Sequence, residues 1–157
     1  MDVGAELGRV LRGHGELCTA MGSPFYGALM ELMAGDAESG GPTVVLLAPD
    51  ASDAGAVYRL RLLGGVHRLV LAGDAPALAR HYPTTGGDGD AAAAWPLVRG
   101  LLGDPPPTVT DALARPPQTN EVGRSAALLG GFLVLAGETR LPLRLLELGS
   151  SAGLNLR

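Results

Sequence analysis

Between Val57 and Val70 the apolar residues Val57, Leu60, Leu63, Val66, Leu69 and Val70 return every three or four positions, the spacing that gathers side chains on one stripe of an α-helix. This is the clearest helix in the chain, ending near Gly73, and the same periodicity makes the chain mainly α. Val3, Leu7, Val10, Leu11 and Leu17 mark a surface helix from Val3 to about Cys18, weakened by Gly13 and Gly15. Ser23 before Pro24 has the form of an N-cap with proline at the first helical position, opening a helix through Leu32 or Met33 with Phe25, Leu29 and Leu32 inward. Shorter helices are expected over Ala75–His81 and over Ala92–Leu102, the latter anchored by Trp95, with a helical turn opened by Thr110 and Asp111. A second strong apolar helix runs from Asn120 to Ala136. Pro42–Ala48 stays open: Thr43, Val44 and Val45 favour a strand, whereas the flanking pattern favours a helix. Glu38–Gly41, Asp50–Gly55 and Thr84–Ala91 read as breaks, the last a flexible surface loop by composition.

Composition removes several classes of function. The formal charge of −4 and a pI near 5.3 provide no field for a polyanion, so no nucleic acid is expected as a partner. All twelve basic residues are Arg; without an amine there is no Walker P-loop, Schiff-base lysine or Ser/Lys dyad. The same GC-rich bias inflates Gly and Pro, so each counts for less as a signal. Cys18 is the single cysteine, which excludes an intramolecular disulfide and points to a reducing, cytoplasmic setting. The amino-terminal residues lack the basic start and apolar middle of a signal peptide. The longest apolar run, Ala126–Gly137, is well short of the ~20 residues that cross a bilayer, so no membrane is expected either. His14 and Cys18 stand four residues apart, but two ligands do not make a metal site, and none is expected. His67 and His81 read as hydrogen-bonded structural residues.

The functional signal lies at the carboxyl end. Leu143, Leu145, Leu146 and Leu148 form a short, nearly continuous apolar stretch of the kind buried in a parallel sheet. Gly149, Ser150, Ser151, Ala152 and Gly153 then make a small-residue turn, and Leu154–Leu156 open a helix. Such a corner lets backbone N–H groups and a helix N-terminus approach a nucleotide cofactor, because larger side chains would block it. Gly149, Ser151 and Gly153 also satisfy the G-x-S-x-G spacing of a nucleophile elbow, so an α/β-hydrolase with Ser151 as nucleophile is a rival reading. Upstream, Gln118, Asn120, Glu121 and Arg124 form the most polar island beside an apolar helix. They suit either a substrate-facing cluster or plain capping, with Thr119 as N-cap and Glu121–Arg124 as an i,i+3 pair.

ELGSSAG resembles the first motif of class I S-adenosylmethionine-dependent methyltransferases, with Ser151 where many members have the middle glycine. More widely, GSPFYGALM at Gly22, LRLLGGVHRLVLAG at Leu60, HYP at His81, AAWP at Ala93, RPPQTNEVGRSAALL at Arg115 and LLELGSSAGLNL at Leu145 together resemble one bacterial family, DUF2332. The resemblance implies a helical amino-terminal domain over residues 1–141, leading into the first strand and glycine turn of an incomplete Rossmann-like methyltransferase fold over 142–157. It implies S-adenosylmethionine as cofactor, held by Glu147, Gly149, Ser150, Ser151 and Gly153; Asn120, Glu121 and Arg124 are the substrate-side candidates on the polar-island reading alone. The substrate and the catalytic residues are left open. In such folds the acidic residue for the ribose follows the second strand. Each βαβ unit takes roughly 30 residues, so the chain reads as an amino-terminal fragment, inactive alone. A non-catalytic helical interaction module is the alternative from another class.

Overall fold

The computed structural model describes residues 2–48, 56–115 and 123–148, and these are mainly helical, with no strand among them. Contacts divide the chain into two compact units, Met1–Pro117 and Gln118–Arg157.

In the first unit, helix α1 (Val3–Ala20) is capped by Asp2, whose carboxylate accepts from the Gly4 amide at 2.9 Å. It lies along α2 (Pro24–Glu38), the most extensive helix pair in the unit. The buried face of α1 is Gly4, Leu7, Gly8, Leu11 and Gly15, whereas Val3 and Leu17 are exposed. The expected stripe was therefore right at Leu7 and Leu11 and wrong at its ends. Gly15, expected to weaken the helix, is one of the places where α1 and α2 meet closely: a Cβ on Gly15 would lie 3.0 Å from the Gly27 carbonyl, and one on Gly27 would overlap the Thr19 hydroxyl. That hydroxyl turns back to donate to the Gly15 carbonyl at 3.0 Å. α2 also runs a turn and a half beyond its expected end, burying Leu29, Met30, Met33, Ala34 and Ala37.

The open segment is a helix, α3 (Pro42–Leu47), with Pro42 in the first turn. Its β-branched residues are overruled by a cap supplied from another helix: Asp36 of α2 accepts from the Thr43 amide at 2.9 Å. Gly41 occupies the N-cap position and has no side chain for the task. The Asp36 carboxylate, buried apart from a small edge, also accepts from Arg99 Nε at 2.6 Å, tying α6 (Ala91–Gly103) to the same point. Burial alone would raise its pKa, but the Thr43 amide and the Arg99 guanidinium outweigh burial and hold it below the usual carboxylate value.

The long stripe forms α4 (Ala56–Ala72) and is buried at Leu63, Val66, Leu69 and Val70, whereas its first residues Val57 and Leu60 are exposed and Leu62, outside the expected stripe, is buried. It packs on α7 (Pro107–Ala114), which opens three residues before the expected turn because Pro107 takes the first helical position. A short α5 (Pro76–Ala79) follows α4. The core joins Leu7, Leu11, Leu29, Met30, Met33, Leu62, Val66, Leu78, Tyr82, Val98 and Val109. Among the described residues no helix is long and apolar enough to cross a membrane.

In the second unit, α8 (Arg124–Thr139) starts four residues later than expected, with Gly123 in the N-cap position. Arg140 ends it in left-handed conformation, φ 55°. From Pro142 to Glu147 the backbone is neither helical nor paired. The buried parallel strand expected here is not formed, and Leu146 and Leu148 are 88% and 89% exposed. A strand needs a neighbour to complete its ladder of hydrogen bonds, and none of the described residues supplies one. The Rossmann-like portion of the expected fold is accordingly not seen.

Candidate functional site

A cleft of the first unit opens where α2 begins. Its lining is Gly22, Ser23, Pro24, Phe25, Tyr26 and Ala28 on one side and Tyr82, Pro83, Thr84, Asp88 and Gly89 on the other, around a volume of about 800 Å³. The second side is built by a loop that closes on itself. After α5 the chain makes a 3-10 turn over Pro83–Thr85, and Gly86 takes φ 78° to reverse direction. The returning strand of loop is then bonded back: the amides of Gly87, Asp88 and Gly89 donate to the carbonyls of Tyr82, Arg80 and His81 at 2.9, 2.9 and 3.2 Å. Thr85 Oγ1 donates to the Ala79 carbonyl at 2.7 Å. The segment read as a flexible loop from its composition is thus fastened along its length by hydrogen bonds.

Three aromatic rings form the floor. Phe25 meets Tyr82 edge to face at 4.8 Å between centroids, and Tyr26 stands 5.6 Å from Phe25 and 6.2 Å from Tyr82 in the same manner. His67 of α4 lies behind them, 5.2 Å from the Tyr82 ring, with its Nε2 2.7 Å from Thr84 Oγ1. Burial pushes the His67 pKa down, favouring the neutral imidazole. Burial and the nearby Cys18 push Tyr26 up to about 12, and burial and Tyr26 push Tyr82 up further. Both phenols are therefore neutral at ordinary pH and neither can serve as a ready base. The Tyr82 hydroxyl is buried with no hydrogen-bond partner among the described residues.

Asp88 carries the charge of the cleft. Its Oδ1 accepts from the Asp90 amide at 2.9 Å and lies 3.0 Å from His81 Nδ1. The Asp90 amide and then His81 hold its pKa below the usual value, so it is a fixed carboxylate. Asp90 in turn caps α6, accepting from the Ala93 amide at 2.9 Å. The arrangement is suited to binding: neutral ring surface, prolines and one anchored anion. Among the described residues no group of three His, Cys, Asp or Glu side chains is placed to hold a metal ion.

Of the residues expected from the sequence to hold cofactor, Glu147 lies in the second unit, half-buried in the non-helical run after α8. Gly149, Ser150, Ser151 and Gly153 lie outside the described residues, and with them the rival nucleophile at Ser151. Gln118, Asn120 and Glu121 also fall outside, while Arg124 provides the first residue of α8. His67 and His81 are hydrogen-bonded, as their reading as structural residues requires, but both support the cleft. Sequence reasoning missed Tyr26, Tyr82, Thr84 and Asp88. One signal was available: the chain has only six aromatic residues, three of which meet here.

The profile of a family described as an uncharacterised protein conserved in bacteria (DUF2332) matches residues 9–157. No curated protein and no solved structure matches the chain.

Proposed function

The chain belongs to the bacterial family DUF2332, and from there we propose that it is a methyltransferase-like protein using S-adenosylmethionine, with Glu147, Gly149, Ser150, Ser151 and Gly153 as its cofactor turn. One observation carries the reading. After α8 the chain leaves helical conformation at Arg140 and continues through Leu143, Leu145, Leu146 and Leu148, all exposed, directly into ELGSSAG. An apolar run that is neither helical nor buried fits a strand whose sheet neighbours come from elsewhere. A glycine and serine corner following such a strand suits a phosphate-free cofactor as well as a nucleotide, because the N–H groups can approach its carboxylate or ribose closely. Asn120, Glu121 and Arg124 are assigned to the acceptor side in this reading.

Calorimetry of the intact gene product with S-adenosylmethionine and its demethylated product tests it. Micromolar binding that disappears in Gly149→Val supports the assignment; absence of heat with both ligands defeats it. A second reading, a helical interaction module, is favoured by α8 itself, on which Leu128, Leu129, Leu133, Val134 and Leu135 are all exposed. Under that reading Leu129→Glu with Leu133→Glu lowers the apparent mass in light scattering and leaves any cofactor binding unchanged.

A further inference from the structure

We propose that the cleft between the start of α2 and the Tyr82–Gly89 loop is a binding site for a small organic cation, an ammonium group on an aromatic or aliphatic body. The inference concerns the first unit alone and is independent of the methyl-transfer reading.

Size comes first. A volume of about 800 Å³ falls in the range of small-molecule sites and is too large to be left by imperfect packing. The lining comes second. Pro24, Pro83 and the half-buried Tyr26 ring present apolar and π-electron surface above the buried Phe25 and Tyr82 rings, and ring faces attract cations while repelling anions. The two phenols are neutral and contribute no opposing charge.

Charge decides the class. Among the described residues Asp88 is the one carboxylate lining the cleft, and no Arg lines it although the chain has twelve basic residues. Phosphates, carboxylates and other anions would meet a carboxylate and no counter-charge. The Asp88 carboxylate is held in place by the Asp90 amide and by His81, and its side chain remains 58% exposed. A cation reaching it would lay its apolar body on the rings at the floor. Ser23 and Thr84 are the remaining polar side chains of the lining, and Thr84 is already engaged with His67.

The test titrates the purified chain at pH 8, where an ordinary imidazole is neutral, with benzylamine and separately with benzyl alcohol. The ligands share a ring and differ in head-group charge. NMR shifts of the Tyr26 and Thr84 signals report occupancy. The expected result is at least tenfold tighter binding of the benzylammonium ion, a preference that Asp88→Asn abolishes. Ala28 lines the cleft from an exposed position, so Ala28→Trp fills the space without entering the core and removes binding of both ligands. Equal affinities in the unaltered chain, absence of binding by both, or a preference that survives Asp88→Asn overturns the proposal. Should Asp88→Asn fail to fold by circular dichroism, the comparison of the two ligands and Ala28→Trp decide: a benzylammonium preference lost in Ala28→Trp supports the site, and one retained there sinks it.

Discussion

Asp36 and Gly41 should behave as a coupled pair, and the coupling tests how the first unit holds its third helix in place. Removing the carboxylate in Asp36→Ala deprives the Thr43 amide of its acceptor, a capping loss of about 0.5–2 kcal/mol. It also releases Arg99, whose side chain is 53% exposed and can return to water, so this loss is about 1 kcal/mol rather than the roughly 3–5 of a fully enclosed pair. The total is about 1.5–3 kcal/mol. Gly41→Ala should cost a similar amount for a different immediate reason. The backbone there has φ −75°, which alanine adopts freely, but the added Cβ would fall within the Asp36 carboxylate and expel it. In the Asp36→Ala background that obstruction is gone, and Gly41→Ala should cost only about 1 kcal/mol, the ordinary preference for glycine over alanine at an N-cap. Urea denaturation followed at 222 nm measures all four corners of the cycle, with an expected interaction of about 1–2 kcal/mol. Additive effects, with Gly41→Ala equally costly in both backgrounds, would refute the account of a remote cap.

Three further perturbations follow from the same geometry. Tyr82→Phe removes a buried hydroxyl that lacks a described partner, so thermal denaturation should show no loss and up to about 1 kcal/mol of gain; a loss above that range would reveal a bond the hydroxyl does make. Leu29→Ala, at a fully buried position of α2, should cost about 2–5 kcal/mol in denaturant unfolding, and a cost below 1 kcal/mol would mean that the core collapses onto the gap. His14 and His67 both have pKa values lowered by burial, so the unfolded chain binds more protons than the folded one below about pH 6.5. Stability is therefore expected to fall as pH drops through that value and down to the folded pKa values, and His67→Gln should flatten the decline in a pH series of melts; an unchanged slope would exclude His67 as a contributor.

What the sequence disclosed was the local part of the structure. The Val57–Val70 helix, the Ser23–Pro24 helix start and the break at Ser39–Gly41 were readable because periodicity and capping act over a few residues. α3 stayed ambiguous because its cap comes from Asp36, on another helix, and no window over Pro42–Ala48 contains it. The face of α1 was misjudged at its ends for a related reason. Discounting glycine as a product of base composition also discounted Gly4 and Gly15, the residues that let two helix backbones approach.

The cleft shows the same limit more severely. Tyr26 sits one residue from a buried Phe25 in a helix start, Tyr82 between a histidine and a proline, and Asp88 in a run of glycines. None has a local pattern that distinguishes a ligand contact from a core or loop residue. Their meeting depends on the closure of the Arg80–Gly89 loop, which is written in three backbone hydrogen bonds rather than in side-chain types. The Gly149–Gly153 sequence is the reverse case: its residue types are informative within a few positions, whereas the proposed cofactor role requires neighbours that no local reading can supply. That contrast explains why sequence and structure direct attention to different ends of the chain, and why the two proposals call for separate ligands in separate experiments.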